Sequence, residues 1–559
     1  MTSQWWKDAV VYQVYPRSFA DGNGDGIGDL AGILERLDYL QNLGINVLWL
    51  SPVYASPMKD NGYDISDYRA IAAEFGSMEE MQKLIKEADK RGISILMDLV
   101  VNHTSDQHAW FQESCSSRTS AKRNWYIWED ADETGAPPNN LRSIFGGSCW
   151  EWDENTGQYY FHSFAKEQPD LNWENDEVRE AVYDMIRWWL DQGIAGFRVD
   201  AITFIKKPEV HKDQPADASD GTSVVKPNQP GINAFLKEMK EKGFQSEEVM
   251  TVAEAPGVAP EELPAFAGEN GFFSMLIEFD HVDLDITPSG RWFESVGWTT
   301  ADFRRAITRS QQKVNEGGWS ALYLENHDQP RSLSRYIPEA DQGTKTAKLL
   351  ATVYFFLRGT PFIYQGQEIG MQNVTYASLS DYDDLSTIDQ YHAARQEGLS
   401  ESEAFAVVSR RSRDNARTPM QWSAEKNGGF SEGEPWLKSN TNTAVVNVEK
   451  AEKDTDSILH YYRSLVTIRR SEAWKDWLRD GIYEEVEQVH PDVFVYRRVY
   501  KEKALTVAAN FSRHPVTVEL PAPLEEKVAG NETGLHAEGT LLHLTPYEAV
   551  AATGPEGGK

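Results

Sequence analysis

The chain repeats short apolar runs that are separated by amphipathic helical patterns. The interiors of the runs are almost continuously apolar, which is typical of parallel strands that are covered on both faces. Between the runs, apolar residues recur at helical spacing, as in the stretch from Asp29 to Gly44. Eight alternations predict an α/β fold that closes into a (β/α)8 TIM barrel, with an open doubly wound sheet as the alternative. The eight runs are 10–16, 46–53, 93–103, 196–201, 250–255, 272–280, 320–328 and 360–368.

Two stretches depart from this alternation. Residues 104–174, which follow the third predicted strand, are rich in aromatic side chains and predict an inserted subdomain. After about residue 480 the pattern alternates between apolar and polar residues, as expected of antiparallel strands. We therefore predict a barrel over 1–103 and 175–480, the insert over 104–174, and a C-terminal antiparallel β-sandwich domain over 481–559.

Charge, cysteine count and hydrophobicity bear on the partners and the cellular location of the protein. The chain has 55 basic and 87 acidic residues, a net charge of −32, which opposes binding to nucleic acid or to an anionic membrane. Cys115 and Cys149 are too few for a disulfide framework, and no apolar run reaches the roughly 18 residues of a membrane span. The first ten residues lack the pattern of a signal peptide. We expect a cytoplasmic protein with free thiols that is a monomer or a weak homodimer.

Charged residues collect at the C-terminal ends of the predicted strands, and in a barrel these ends meet on the face that carries the chemistry. Arg198 and Asp200 lie two residues apart in one strand and therefore share a face, so we expect the arginine to keep Asp200 ionised. The alternative for this pair alone is a structural salt bridge. Three carboxylates at one rim are typical of glycoside hydrolysis, in which one attacks and another donates a proton. The residues at these ends are His103, Arg198, Asp200, Glu254, His327 and Asp328.

Several motifs resemble those of one enzyme family. The stretches DLVVNH (98–103), GFRVDAI (196–202), TVAEA (251–255) and ENHDQPR (325–331) resemble the four signature segments of the α-amylase family, glycoside hydrolase family 13. The stretches YQVYPRSF, DNGYDISDY, QPDLNWEN and RDNARTPMQW are similar to those of its α-glucosidase and oligo-1,6-glucosidase subgroup. The resemblance extends over essentially the whole chain. It implies a barrel with an insert after the third strand and a C-terminal β-domain.

The resemblance also implies roles for individual residues. Asp200 resembles the nucleophile that forms a covalent glycosyl-enzyme, Glu254 the general acid and base, and Asp328 the carboxylate that stabilises the transition state. The other matching residues imply a closed pocket for one terminal glucose of a small oligosaccharide. These are Asp60 with either Arg413 or Arg417 closing the pocket, Tyr63 and Phe164 as aromatic walls, His103 and His327 as partners of sugar hydroxyls, and Arg198 as the residue that orients the nucleophile.

The stretch DGNGDGIGD (21–29) predicts a second site. Its oxygen-bearing residues are spaced like the first part of an EF-hand loop, although the twelfth position is Gly32 and no helix precedes the loop. We predict one structural Ca²⁺, with Mg²⁺ possible, and no organic cofactor; the alternative is a glycine-rich loop without metal. The predicted ligands are the side chains of Asp21, Asn23, Asp25 and Asp29 and the carbonyl of Ile27.

Ala201 bears on which glycosidic linkage is cleaved. It follows the predicted nucleophile and borders the site of the second sugar. In the resembling subgroup, valine at this position accompanies α-1,6 preference, and a smaller residue accompanies α-1,4 acceptance. The resemblance as a whole implies an exo-acting, retaining α-glucosidase, and alanine at this position favours maltose and malto-oligosaccharides as its substrates. The alternatives are an oligo-1,6-glucosidase, a sucrose-acting or transglycosylating relative, a phosphotrehalase, and a non-catalytic binding homologue.

Overall fold

Eight parallel strands form a closed barrel at the centre of the computed structural model, which describes residues 4–216, 221–487 and 490–557. The remaining residues of the predicted domain ranges lie outside this description. In space the strands follow the order β6-β5-β4-β3-β2-β1-β8-β7, and a bridge between Leu276 and Ser320 closes the ring. The predicted (β/α)8 fold is confirmed. The strands are β1 (Val11–Val14), β2 (Val47–Leu50), β3 (Ser94–Val100), β4 (Gly196–Asp200), β5 (Met250–Glu254), β6 (Met275–Ile277), β7 (Ala321–Leu322) and β8 (Thr360–Tyr364).

The helices around the barrel begin and end largely where local signals predict. The helix Met78–Asp89 starts at Ser77, whose hydroxyl accepts from the backbone of Glu80 while the Glu80 carboxylate accepts from the backbone of Ser77. The apolar stripe that predicts one helix up to Gly44 forms two, because Arg36 leaves helical geometry at φ −97° and ψ 3°. The other long helices are Asp176–Asp191, Ile232–Glu238, Thr300–Asn315, Thr344–Phe355, Leu385–Gln396, Glu401–Arg411 and Ile458–Arg470.

The insert after β3 packs against the chain that follows β4. It contains an antiparallel sheet made of Trp128–Glu129, Gln158–Phe161 and Trp150–Asp153. Ala201 and Phe204, which come directly after β4, are buried in one apolar cluster with side chains of the insert. The insert therefore forms one wall above the C-terminal ends of β3 and β4.

The C-terminal domain contains two antiparallel sheets with an apolar cluster between them. Its junction with the barrel holds the buried Arg498, whose guanidinium is bound by backbone carbonyls. Arg498 donates to the carbonyls of Phe356 (2.8 Å), Leu478 (2.6 Å) and Gly481 (2.8 Å), which lie at the end of a barrel helix and in the linker. The sheets consist of Ile482–Glu485, Val493–Tyr500, Lys503–Asn510, Ala549–Pro555 and Glu526–Gly530, and of Val516–Glu519, Leu541–Leu544 and Ala537–Glu538.

Two further expectations concern thiols and membranes. Cys115 and Cys149 are both free, and Cys149 is buried. Within the described ranges, no helix combines the length and the apolar character needed to cross a bilayer. The cytoplasmic location and the oligomeric state stay predictions.

Candidate active site

A cavity of about 440 Å³ opens at the C-terminal ends of the barrel strands. Most of the predicted catalytic and substrate-binding residues line it. Three do not: Arg198, His327 and Arg417 are buried directly behind the lining residues and hold them in place. The predicted residues that line the cavity are Asp60, Tyr63, His103, Phe164, Asp200, Ala201, Glu254, Asp328 and Arg413.

Arg198 binds three carboxylates at once. Its Nη1 donates to Asp200 at 2.5 Å and to Asp98 at 2.7 Å, and its Nη2 lies 2.7 Å from Glu254. Strand register explains the arrangement, because Arg198 in β4 lies directly opposite Asp98 in β3 while Asp200 follows two residues later on the same face. One guanidinium therefore sets the relative positions of the predicted nucleophile and the predicted acid.

The sharing of Arg198 changes the expectation for Asp200. Burial raises the pKa of Asp200 well above its ordinary value; Arg198 opposes this, but Glu254 and Asp98 add to it. The positive charge of Arg198 is shared among three carboxylates, so its effect on the pKa of Asp200 is smaller than that of a dedicated partner. The raised pKa runs against the expectation that Arg198 keeps Asp200 ionised, because the arginine is shared with two other carboxylates, and the ionisation of Asp200 at neutral pH stays a prediction.

The chain immediately after Asp200 orients Glu254. The backbone N–H of Ala201 donates to Glu254 Oε2 at 3.0 Å, and Ala201 has the left-handed conformation φ 41°, ψ 35°. The hydroxyl of Thr203 donates to the carbonyl of Pro256 at 2.8 Å, which joins the loops after β4 and β5. The loop that begins at the predicted nucleophile thus also positions the predicted acid.

Asp328 lies among donors. It is 2.9 Å from Nε2 of His327 and 2.8 Å from Nη2 of Arg417, with Arg413 farther away at 3.4 Å. Burial alone would raise its pKa, but His327 and the two arginines hold the pKa well below its ordinary value. Because Gln13 Nε2 donates to Nδ1 of His327 at 2.8 Å, the ring proton lies on Nε2, towards Asp328. These contacts therefore favour the anionic form of Asp328.

One end of the cavity is closed by Asp60 and Arg413. Arg413 lies 3.4 Å from Asp60 and is held from behind by Asp384 at 2.7 Å. Gln168 donates to Asp60 at 3.1 Å and also contacts His103. Burial lowers the pKa of His103 to about 4, so its ring is neutral near pH 7. Of the two candidate arginines, Arg413 reaches the cavity wall.

Arg417 has a different position. It is fully buried and donates to the carbonyl of His327 at 3.0 Å as well as to Asp328. It supports the loop that carries Asp328 rather than lining the pocket.

Several site residues escaped sequence reasoning. Asp98 is visible in the sequence as a charged residue within an apolar run, but the sequence does not show that its partner is Arg198. Gln168 and Asp384 lie in long connections whose position depends on tertiary packing, and no local pattern marks them. Phe145 and Phe204 flank Phe164 at ring-centroid distances of 5.5 and 5.2 Å and complete an aromatic wall.

The loop 21–29 folds back on itself. Asp21 accepts from the backbone N–H groups of Gly24 (2.7 Å) and Gly26 (2.8 Å), and Asp29 caps the following helix through Gly32. In the part of the chain that the structure describes, no group of three His, Cys, Asp or Glu side chains converges on a possible metal position. Asp21, Asn23 and Asp25 still present oxygens near the loop surface, which are ligands that Ca²⁺ takes. Calcium binding here stays a prediction.

Comparison with known proteins agrees with this geometry. The profile described as "Alpha amylase, catalytic domain" matches residues 13–481. The chain is 45% identical to an oligo-1,6-glucosidase from Halalkalibacterium halodurans over 98% of this chain and 99% of that protein. Its structure is similar to those of isomaltulose synthase from Protaminobacter rubrum (TM-score 0.92) and trehalose-6-phosphate hydrolase from Bacillus licheniformis (TM-score 0.90), each 38% identical and covering 98% of this chain and 99% of theirs. The chain belongs to the α-amylase family of glycoside hydrolases.

Proposed function

We propose that the protein is a retaining, exo-acting α-glucosidase that removes single glucose units from the non-reducing ends of short α-glucosides. The observation that carries this proposal is the shared Arg198, which holds Asp200 and Glu254 side by side at one cavity. Two carboxyl groups bound by one guanidinium favour the close spacing of about 5–5.5 Å at which one attacks directly. An inverting enzyme needs a wider gap to admit water between carboxylate and sugar.

The reaction then proceeds in two balanced steps. In the first step Asp200 attacks the anomeric carbon, the glycosidic C–O bond breaks, and Glu254 gives its proton to the departing oxygen. In the second step Glu254 takes a proton from water, the water oxygen replaces Asp200 at the anomeric carbon, and glucose leaves. Arg198 suits both steps because it contacts both carboxyl groups and can stabilise the negative charge on Asp200 before the first step and on Glu254 after it.

Two other groups account for binding and for exo action. Asp328, kept anionic by His327 and Arg417, accepts from sugar hydroxyls and stabilises the positive charge that develops at the ring. Asp60 and Arg413 close the pocket beyond the terminal glucose. A chain that continued past this glucose would meet them, so only chain ends are substrates.

For the linkage we propose α-1,6, with α-1,4 as the second candidate. The relative from Halalkalibacterium halodurans is named an oligo-1,6-glucosidase and matches this chain along nearly its whole length, which supports α-1,6 over the α-1,4 preference expected from Ala201. The second candidate is kept because Ala201 lines the cavity and leaves room beside the nucleophile for an α-1,4-linked ring. One small side chain shifts such a preference by only about 1–3 kcal/mol.

The test is product analysis on isomaltose, maltose, sucrose and trehalose with the wild type, Asp200→Asn and Asp89→Asn. Asp89 is an exposed acid at the end of an outer helix and serves as the matched control. We expect glucose from isomaltose at the highest kcat/KM, no turnover by Asp200→Asn, and wild-type rates for Asp89→Asn. Absence of hydrolysis of all four sugars by the wild type, or near-normal activity of Asp200→Asn, would overturn the proposal.

A further inference from the structure

The cavity continues past Glu254 into a second half. This half lies between the loop after β5 and the end of β6, and its apolar wall is formed mainly by residues 255–260. If Asp200 attacks the glucose and Glu254 protonates the departing oxygen, the leaving group must lie on the Glu254 side of the bond. The second half is therefore the leaving-group half, an assignment that rests on the proposed function.

Three carboxylates line the leaving-group half: Glu278, Asp280 and Asp283. Glu278 accepts from the hydroxyls of Ser310 (2.8 Å) and Ser320, which carry no charge. Among the described residues no cation pairs with Glu278, and burial raises the pKa of its carboxyl group.

The arginines near the other two carboxylates stay outside the cavity. Asp283 lies 3.4 Å from Arg411 and Asp280 lies 3.7 Å from Arg309, and neither arginine is part of the lining. Over the described ranges, the one arginine or lysine of the lining is Arg413, at the glucose end beside Asp60. An anionic leaving group would thus meet carboxylates and no cation.

We propose that the leaving-group half selects neutral leaving groups and rejects anionic ones, so that phosphorylated disaccharides are poor substrates. Asp280, exposed at the cavity rim, is the specificity-determining residue, and Asp283 and Glu278 extend the acidic lining behind it. The similar structure from Bacillus licheniformis is named a trehalose-6-phosphate hydrolase, so the shared fold alone leaves this choice open. In this protein the acidic lining disfavours phosphorylated substrates. A phosphate in a partly desolvated cavity is repelled by carboxylates, because little water is present to screen the charges.

The first test compares two aryl α-glucosides of equal shape, 4-carbamoylphenyl (neutral) and 4-carboxyphenyl (anionic), at pH 7. We expect kcat/KM for the anionic substrate to be lower by about tenfold or more at low salt, and the gap to narrow as salt rises. Trehalose and trehalose 6-phosphate form a second matched pair. Equal kcat/KM within both pairs at low salt would overturn the proposal.

The second test changes the charge of the leaving-group half. Asp280 is exposed at the cavity rim, so Asp280→Asn and Asp280→Lys alter its charge at little risk to folding. We expect the anionic-to-neutral ratio of kcat/KM to rise about threefold in Asp280→Asn and further in Asp280→Lys, with no change in Asp89→Asn. An unchanged ratio in both Asp280 variants would refute the role of these carboxylates. Failure to hydrolyse even the neutral glucoside would instead refute the proposed function.

Discussion

Removing the charge of Asp98 should move the acid limb of the activity profile to lower pH. Asp98 and Asp200 both accept from Nη1 of Arg198, at 2.7 and 2.5 Å, so their nearest oxygens lie within about 5 Å of each other. At that separation two like charges repel by about 3 kcal/mol for an effective dielectric constant near 20. This corresponds to about two pKa units for Asp200 if Asp98 is fully charged, and we expect a shift of about one to two pH units in Asp98→Asn.

The direction follows from the role of Asp200. The nucleophile must be ionised, and burial and the neighbouring carboxylates raise its pKa, so kcat/KM rises as pH increases through that pKa. Loss of the neighbouring charge lowers the pKa of Asp200, and Arg198 also becomes more available to it. The amide oxygen introduced by Asp98→Asn can still accept from the indole N–H of Trp49, which donates to Asp98 at 2.8 Å in the wild type. The fold should therefore be retained.

The assay is kcat/KM against pH from 4 to 8 with a neutral aryl α-glucoside, for the wild type, Asp98→Asn and the exposed control Asp89→Asn. Only the pH midpoint of the acid limb is compared between variants, because the absolute rate also falls if the substitution disturbs the contacts of Arg198. An acid limb that stays in place or moves upward in Asp98→Asn would refute the reasoning. It would show that the charge of Asp98 does not raise the pKa of Asp200.

Three other changes test other parts of the structure. Ala201→Val should raise the isomaltose-to-maltose ratio of kcat/KM by roughly tenfold, and should lower stability by about 1–3 kcal/mol because Ala201 has a φ of 41°. A chelator should lower the Tm of the wild type but not of Asp21→Ala, if the loop binds Ca²⁺ through Asp21. Arg498→Met should reduce the free energy of unfolding by about 2–4 kcal/mol, because the carbonyls of Phe356 and Gly481 lose their donor in a buried junction.

Each of these three predictions can be contradicted by a specific result. A flat or falling isomaltose-to-maltose ratio would remove Ala201 from linkage selection, whatever the stability of the variant. Identical Tm values with and without chelator in the wild type would refute the structural metal. Arg305→Met, at an exposed arginine on an outer helix, is the control for Arg498→Met; equal and small losses in both would mean that the buried arginine is dispensable.

The barrel could be predicted from sequence because its strands are buried on both faces. That burial leaves continuous apolar runs that do not depend on which strand pairs with which. The carboxylates stood out for the same reason, as charges at the ends of apolar runs. Asp98 also lies within such a run, but its pairing with Arg198 depends on the register between two strands. No local pattern around either residue indicates that the two lie opposite each other.

The surroundings of the glucose pocket could not be predicted in this way. Arg413 and Arg417 lie four residues apart, at the start and end of one helical turn. Which of them reaches the cavity depends on Asp384 and on the carbonyl of His327, which come from other segments. The family resemblance indicated both arginines as candidates, and only the tertiary contacts show that Arg413 lines the cavity while Arg417 lies behind it.

Proton NMR of the first glucose released tests the central claim most directly. If Asp200 forms a covalent intermediate beside Glu254, an α-glucoside must release α-glucose first, and the β-anomer must grow only at the rate of spontaneous mutarotation. Spectra recorded within the first minutes of hydrolysis of a neutral aryl α-glucoside at high enzyme concentration distinguish the two anomers, because the phenol leaving group adds no glucose of its own. Initial α-glucose is the predicted result, and initial β-glucose would contradict the assignment of Asp200 as nucleophile.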